Sequence, residues 1–332
     1  MDSIRPYGKE LLICFLLSAT VTMALEVRHM KKNQLGTSDL MVSEIGLGCM
    51  SLGTDADHAE RIVEAALDAE INYFDTADLY HFGMNEEIVG KALNKVRDQV
   101  LIATKVGNRW NEQKDSWSWD PSKAYIKEAV KQSLGRLRTD YIDLYQLHGG
   151  TLDDPIDETI EAFEELREEG FIRYYGISSI RPNVIREYVN KSNIVSNMMQ
   201  YSILDRRPEE EALPLLHEKK IGVVTRGSLA KGLLSERALE KISGSGYLDY
   251  AEGELKELIV ALRDKVANGR PLTEIALQYN LAHPAVASVI VGASSVEQLR
   301  ENVKAASSKP LTGEEMCLIH TLSKANTYQE HR

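Results

Sequence analysis

The sequence has 332 residues, 43% hydrophobic and 27% charged, which suits one barrel-sized domain or two smaller ones. Its formal net charge is −11 and it has no Lys/Arg-rich run, which argues against nucleic acid or an anionic membrane as partner. Three widely spaced cysteines, Cys14, Cys49 and Cys317, offer neither a disulfide framework nor metal-ligand spacing, so a reducing compartment is the simpler reading.

Residues 1–29 are unlike the rest. Leu11 to Leu25 is an apolar run, short for a membrane span, with Arg5 and Lys9 before it and Thr22-Met-Ala24 as a possible signal cleavage site. The alternative, which we favour, starts translation at Met30-Lys31-Lys32, with Leu25-Glu26-Val27 encodable by a purine-rich ribosome-binding site. That reading expects a cytoplasmic protein, and a true leader would expect a secreted one. Charges balance in this extension (Arg5, Lys9, Arg28 against Asp2, Glu10, Glu26), so the acidity belongs to residues 30–332, read as one domain.

From Met30 onward strand and helix patterns alternate. Lys32 to Leu35 and Met41 to Glu44 flank Gly36-Thr-Ser-Asp39 as a β-hairpin. Strand-like runs follow at Ile45–Cys49, Ile71–Phe74, Val100–Thr104, Ile142–Leu147, Tyr174–Ile177, Asn197–Gln200, Gly222–Thr225 and Val286–Val291. Between them apolar residues recur at helical steps, as at Ile126, Val130, Leu134 and Leu137, and Asp120-Pro121 reads as an N-cap with proline at the first helical position. Eight such units in about 300 residues is the count of a (β/α)8 TIM barrel. An open doubly wound sheet is the alternative, but no Gly-x-Gly-x-x-Gly follows the first strand. Leu311 to Thr327 reads as an extra C-terminal helix across one end. Two connections are long enough to be lids or binding loops: 105–119, with all three tryptophans, and 226–254, with Gly227, Gly232 and Ser243-Gly-Ser-Gly246.

Asp75 follows the second strand, Tyr80 lies in the loop beyond it, Lys105 closes the third strand and His148 the fourth. Barrel enzymes keep their chemistry at these carboxyl ends. Singly, a loop tyrosine packs, a strand-end aspartate caps a helix and a histidine is satisfied in the core. A lysine ending an apolar strand is harder to dismiss, because an unpaired buried ammonium is costly. Together the four make an acid–base site. Carbonyl reduction needs a hydride at carbon and a proton at oxygen, and a free tyrosine, with pKa about 10, holds its proton too tightly to shuttle it near neutrality. A neighbouring ammonium eases the release, and a carboxylate keeps the ammonium placed and charged. Tyr80 is then the general acid, Lys105 its tuner, Asp75 the anchor of Lys105, and His148 the group that orients and polarises the substrate oxygen. A metal-dependent hydrolase would need clustered ligands at strand ends, where only His148 stands, so no metal is expected.

Gly46-Leu-Gly-Cys-Met50, Asp75-Thr-Ala-x-x-Tyr80, Ala103-Thr-Lys105, Asp140 to His148, Gly176-Ile-Ser-Ser179 and Gly292 to Asn302 together resemble the aldo-keto reductase superfamily, from about Lys32 to Thr327. Within it the chain is similar to the bacterial stress-protein branch, related to potassium-channel β-subunits. The resemblance implies the same four catalytic roles, NADPH rather than NADH as cofactor, small carbonyl substrates and a monomer. It implies cofactor contacts at Gly48, Cys49, Met50 and Asp75, at Ser178, Ser179 and Gln200 beside the nicotinamide, and at Arg226, Gly227, Leu229, Lys231 and Arg237 beyond the seventh strand. Gly292 would also touch the cofactor, Ser294 and Gln298 would meet the 2′-phosphate, and Glu301 and Asn302 the adenine. With no Rossmann glycines, the nucleotide falls to the late loops, where Ser294 and Ser295 open a helix whose free N–H groups suit a phosphate.

Four departures from the family stand out. The loop before this helix lacks the relatives' basic residue, leaving Arg300 as a substitute. Ser178-Ser179 replaces Ser-Asn. Arg226 replaces an aromatic that stacks on the nicotinamide; a guanidinium also stacks, but repels the oxidised, cationic ring more than the reduced one. Gly149-Gly150 follows His148 where relatives carry bulk, which suggests a roomier wall. Trp110, Trp117 and Trp119, with Met50, either line an apolar substrate mouth or pin their loop to the barrel. Channel β-subunits supply a second function class, a cofactor-bound sensing or partner-binding module with slow turnover.

Overall fold

The computed structural model describes residues 29–332, so the readings made for residues 1–28 lie outside the described residues. The chain enters through an antiparallel hairpin, β1 (Lys32–Gln34) and β2 (Met41–Ser43), in register from Lys32↔Ser43 to Gln34↔Met41. Leu35, Leu40 and Val42 of this hairpin pack against Val195, Val224 and Ala287 and plug the amino-terminal end of the barrel formed by the later strands. Its turn needs Gly36: φ is +60°, and a Cβ there would sit 2.2 Å from the Val195 carbonyl oxygen.

The body alternates strand and helix. It runs β3 (Ile45–Gly48), α1 (Ala56–Asp68), β4 (Tyr73–Asp75), α2 (Met84–Leu93) and β5 (Leu101–Val106). A second hairpin, β6 (Asn108–Trp110) and β7 (Trp117–Trp119), precedes α3 (Lys123–Leu137) and β8 (Ile142–Leu147). Then come α4 (Ile156–Glu168), β9 (Ile172–Ser178), α5 (Pro182–Lys191), β10 (Ser196–Gln200), α6 (Ala212–Glu218) and β11 (Gly222–Arg226). The last stretch holds α7 (Ala238–Lys241), α8 (Glu252–Leu262), α9 (Leu272–Leu281), β12 (Val286–Gly292), α10 (Val296–Ala306) and α11 (Gly313–Leu322). Eight parallel strands, β3-β4-β5-β8-β9-β10-β11-β12, close on themselves where Val289↔Ile45 through Gly292↔Gly48 join the last strand to the first. This is the (β/α)8 barrel that eight alternating units require.

The structure moves several expected boundaries. β4 starts at Tyr73 rather than Ile71, because the Asn72 side chain bonds the first hairpin: its Oδ1 accepts from Ser43 N and its Nδ2 donates to Met41 O, both at 2.8 Å. Helix α3 is capped by Ser122, whose Oγ accepts from Tyr125 N, while Asp120 pairs with Arg109 at 3.1 Å. The C-terminal helix is shorter than Leu311–Thr327. A Thr312–Glu315 capping box opens it, and residues after Leu322 run on as a non-helical tail.

Side-chain alternation explains where the polar residues go. Tyr73, Ala103, Leu144, Met198, Val224 and Ile290 form an apolar cluster inside the barrel, while Phe74, Ile102, Tyr145, Met199, Val223 and Val289 pack outward against the helices. Residues two apart on a strand share a face. Two steps beyond the interior residues therefore stand Asp75, Lys105, Gln146, Gln200 and Arg226, so the barrel's carboxyl end is a polar floor on an apolar plug. Among the described residues no helix is long and apolar enough to cross a membrane.

Candidate active site

The floor is organised around one buried cation. Lys105, 1% exposed, donates from Nζ to Asp75 Oδ1 at 2.6 Å and to Thr76 O at 2.7 Å, and reaches the Tyr80 hydroxyl at 3.5 Å. Asp75 is itself 4% exposed, and Gln146 Nε2 approaches its other oxygen at 3.5 Å. Burial raises the Asp75 pKa and Lys105 opposes the rise; burial would lower Lys105, but the Asp75 carboxylate and the Tyr80 oxygen hold it above its ordinary value. We read the pair as charged, because each group supplies the counter-charge that makes the other's burial tolerable.

The loop carrying Tyr80 is stapled on both sides. Thr76 N and Asp78 N donate to the carbonyls of Ala103 and Lys105 on β5, at 2.9 and 3.2 Å. Asn85 of α2, fully buried, accepts from Thr76 Oγ1 at 2.6 Å and donates to Cys49 O at 2.8 Å. His148 stands opposite, its ring edge-on to Tyr80 with centroids 5.9 Å apart. Burial, then Lys105 and Arg226, push its pKa down to about 3, so the imidazole is neutral at working pH. Its Nδ1 is buried with no protein partner.

Above Tyr80 and His148 opens a cleft of about 720 Å³ whose walls include Met50, Trp117, Trp119 and Arg181. Segment 105–119, expected as a loop, ends β5 and forms the β6–β7 hairpin, and its tryptophans differ in whether they line the cleft or pin the segment. Trp119 does both: it lines the cleft, donates Nε1 to Asp154 Oδ1 at 2.9 Å, and lies against Gly107 and Gly149, where a Cβ would stand 2.6 and 3.4 Å from its ring. Trp117 is 55% exposed at the rim. Trp110 lies outside the lining of this cleft, edge-on to Phe82 at 6.2 Å.

A second cleft, about 730 Å³, gathers Leu229, Lys231, Arg237, Ser294, Gln298, Glu301 and Asn302, all expected cofactor residues. Ser294 offers its N–H and Oγ to Gln298 Oε1 at 2.8 and 3.1 Å, and Ser295 caps α10. Arg300 is exposed and outside this cleft, because Gln298, Glu301, Asn302 and Ala305 occupy the facing side of α10. Lys304 lines it instead. At the barrel mouth Arg226 donates to Gln200 Oε1 at 3.2 Å, while Gln200 Nε2 donates to Asp205 at 2.8 Å and to Tyr247 of the 226–254 segment at 3.1 Å. Gly227, at φ +71°, packs against Gln200, where a Cβ would meet Cγ at 3.2 Å. Gly48 and Gly292 pair across the closing seam. Ser178 borders the first cleft, and the backbone of Ser179 is gripped by Asn197. The Cys49 thiol is buried, with its pKa raised, and its carbonyl accepts from Asn85. Met50 joins the first cleft, not the second. Among the described residues no group of three metal-ligand side chains comes together.

The aldo/keto reductase family model matches residues 44–324 of this chain. The chain belongs to the aldo/keto reductase family. Aldo/keto reductases are oxidoreductases of carbonyl compounds that use nicotinamide cofactors. The chain is 61% identical over 307 residues to an uncharacterized oxidoreductase of Bacillus subtilis, YqkF, covering 91% of this chain and all of that one. It is 34% identical over 304 residues to the NADH-specific methylglyoxal reductase of Escherichia coli, covering 83% and 93%. The solved holo form of aldo-keto reductase AKR11C1 from Bacillus halodurans superposes with a TM-score of 0.88 at 63% identity, over 92% of this chain and 100% of that one. The apo form of the same enzyme gives 0.81. Within the aldo/keto reductase frame, sequence reasoning missed Gln146, Asn85, Asp205 and Tyr247. Each is a polar partner that holds an expected site residue.

Proposed function

We propose that the protein reduces small aldehydes and ketones to alcohols with NADPH, Tyr80 giving the proton to the carbonyl oxygen. The observation that carries this reading is the buried Lys105, bonded to Asp75 and within reach of the Tyr80 hydroxyl at the floor of an open cleft. A carbonyl oxygen placed between Tyr80 and His148 meets a hydroxyl donor and a neutral imidazole, one of whose nitrogens carries an N–H. As Tyr80 gives up its proton, the Lys105 ammonium stabilises the oxygen left behind, and Asp75 keeps that ammonium from turning away. When bound, the reduced nicotinamide supplies the hydride. Gln200, Ser178 and Arg226 would hold its ring end, Lys231 and Arg237 the pyrophosphate, and Ser294 and Gln298 the phosphate at the α10 N-terminus, with Glu301 and Asn302 beside the adenine.

The second cleft fits such a group. Its Ser294 donors are met only by an exposed glutamine side chain, which a phosphate can replace. Lys231, Arg237, Lys241 and Lys304 around it support NADPH over NADH. The free thiols at Cys49 and Cys317 fit a reducing, cytoplasmic setting, and we read residues 30–332 as a single catalytic domain and a monomer.

Fluorescence titration with NADPH and NADH, then single-turnover oxidation by 4-nitrobenzaldehyde, tests the reading. Tyr80→Phe should keep nucleotide affinity and lose about 10²–10⁴-fold in the oxidation rate. Undiminished oxidation by Tyr80→Phe would remove Tyr80 from its role, and failure to bind either nucleotide would remove the cofactor assignment.

A further inference from the structure

The lining of the cleft over Tyr80 and His148 is cationic in a protein that is acidic overall. The sequence carries 50 Asp and Glu against 39 Lys and Arg. Yet the residues lining this cleft include two arginines, Arg181 and Arg226, and no carboxylate. Among the described residues neither arginine has a carboxylate partner; each makes a side-chain bond to a neutral oxygen instead. Asp75, beneath the floor, is already matched by Lys105. An unpaired guanidinium in an acidic protein calls for an anion from outside.

Arg181 is built into place. Its Nη1 donates to Gly150 O at 2.6 Å, and its backbone N–H donates to Ser179 Oγ at 3.2 Å. Gly149 and Gly150 have φ of +141° and +122°, conformations that L side chains rarely adopt, and a Cβ on Gly150 would meet Val184 at 3.2 Å. The Gly-Gly pair after His148 therefore turns a carbonyl towards Arg181 as well as thinning the wall. One bond leaves most of the five guanidinium donors free, enough for a two-pronged grip on a carboxylate. Behind Arg181 a neighbouring cavity contains Asp249 and Glu330, and neither forms an ion pair with it. The remaining wall is largely apolar, with Met50, Leu79, Trp117, Trp119 and Ile180.

We infer that this cleft selects carbonyl substrates bearing a carboxylate, with Arg181 as the specificity-determining residue that grips the anion while the aldehyde or keto oxygen meets Tyr80 and His148. The inference rests on the carbonyl-reductase reading for the reacting centre. Arg226 belongs to the cofactor edge and adds positive field without gripping the substrate. With no carboxylate in its lining, the cleft's own field favours an anionic substrate over a neutral one of the same shape.

The test compares 4-carboxybenzaldehyde with its methyl ester, on enzyme supplied with NADPH. Wild type should favour the acid in kcat/KM by about tenfold or more, with the preference shrinking as salt rises from about 0.05 to about 0.5 M. Arg181→Gln should cut the acid-to-ester ratio at least about tenfold, and Arg181→Lys should retain most of it. A merely structural role would lower both substrates alike and leave the ratio untouched. Binding of benzoate against benzamide to the NADPH complex, read by nucleotide fluorescence, needs no turnover. Equal binding of the two, or benzoate binding indifferent to Arg181→Gln, overturns the inference. Benzoate binding that needs Arg181, with neither aldehyde reduced, keeps the anion grip and removes the reductase reading.

Discussion

Replacing Lys105 with methionine keeps most of the side chain's length and removes its charge, leaving Asp75 buried with Gln146 at 3.5 Å as its remaining side-chain partner. The gross attraction across the 2.6 Å contact is roughly 6 kcal/mol at an effective dielectric constant of about 20, and dehydration of the two groups cancels most of it. What decides the outcome is stranding, since an unpaired buried charge costs about 3–5 kcal/mol out of a total stability of about 5–15 kcal/mol. Asp75→Asn combined with Lys105→Met swaps the pair for neutral groups and should recover most of the loss, giving a coupling energy of about 3 kcal/mol in a double-mutant cycle. Equilibrium urea unfolding followed by far-UV circular dichroism measures all four proteins. Burial already raises the Asp75 pKa in the presence of Lys105, and in the variant no ammonium opposes it. An acid with a raised folded-state pKa contributes fully below its unfolded value, about 3.9, and loses that contribution as pH rises through the folded value. The Lys105→Met deficit should therefore shrink as pH falls from neutrality towards the unfolded value, about 3.9. A double variant no more stable than Lys105→Met, or a deficit independent of pH, would refute the charged-pair argument.

Three further outcomes are expected. The folded-state pKa of His148, about 3, lies below the unfolded value of about 6.5, so its neutral burial loses stability as pH falls, about 2 kcal/mol by pH 5. His148→Gln should flatten that limb in urea unfolding, and a His148 NMR titration midpoint near neutrality would contradict it. Arg226→Tyr should narrow the affinity gap between reduced and oxidised nucleotide in fluorescence titration; equal wild-type affinities would show that Arg226 sets no such bias. Gly107→Ala forces a side chain into φ +119° and to within 2.6 Å of the Trp119 ring. It should destabilise by about 1–3 kcal/mol and shift tryptophan emission, and unchanged emission would mean that Trp119 does not rest there.

The barrel was legible because its strands write their burial into the sequence. Ile142–Leu147 is wholly buried, and its expected and observed limits coincide. The Asp75–Lys105 pair was legible because a lysine closing an apolar strand demands a partner, and Asp75 is that partner. Asn85 and Gln146 were not, since each acts across a long stretch of chain, 36 residues to Cys49 and 71 to Asp75, and carries no local mark. The β6–β7 hairpin was hidden because each strand has three residues, too few to show alternation. Arg300 and Lys304 were separable only once the rotation of α10 against the second cleft was known.

The seam between β12 and β3 also bears on how the protein is made. Asp75, Tyr80, Lys105 and His148 all lie in the first half of the chain, whereas the proposed nucleotide grip runs from Ser178 to Asn302. The two halves meet where Ser51 Oγ donates to Ala293 O, 242 residues away, and where His58 Nε2 lies 2.9 Å from Ser294 O. Contacts this distant carry the largest loop-closure entropy, and they cannot form until the last strand has been made. A nascent chain thus holds its acid–base residues long before it can hold the nucleotide, and a ligand that recognises only the closed barrel stabilises finished molecules alone. Ligand protection then reports closure: a chain that ends before the last strand should gain no protease resistance from added nucleotide.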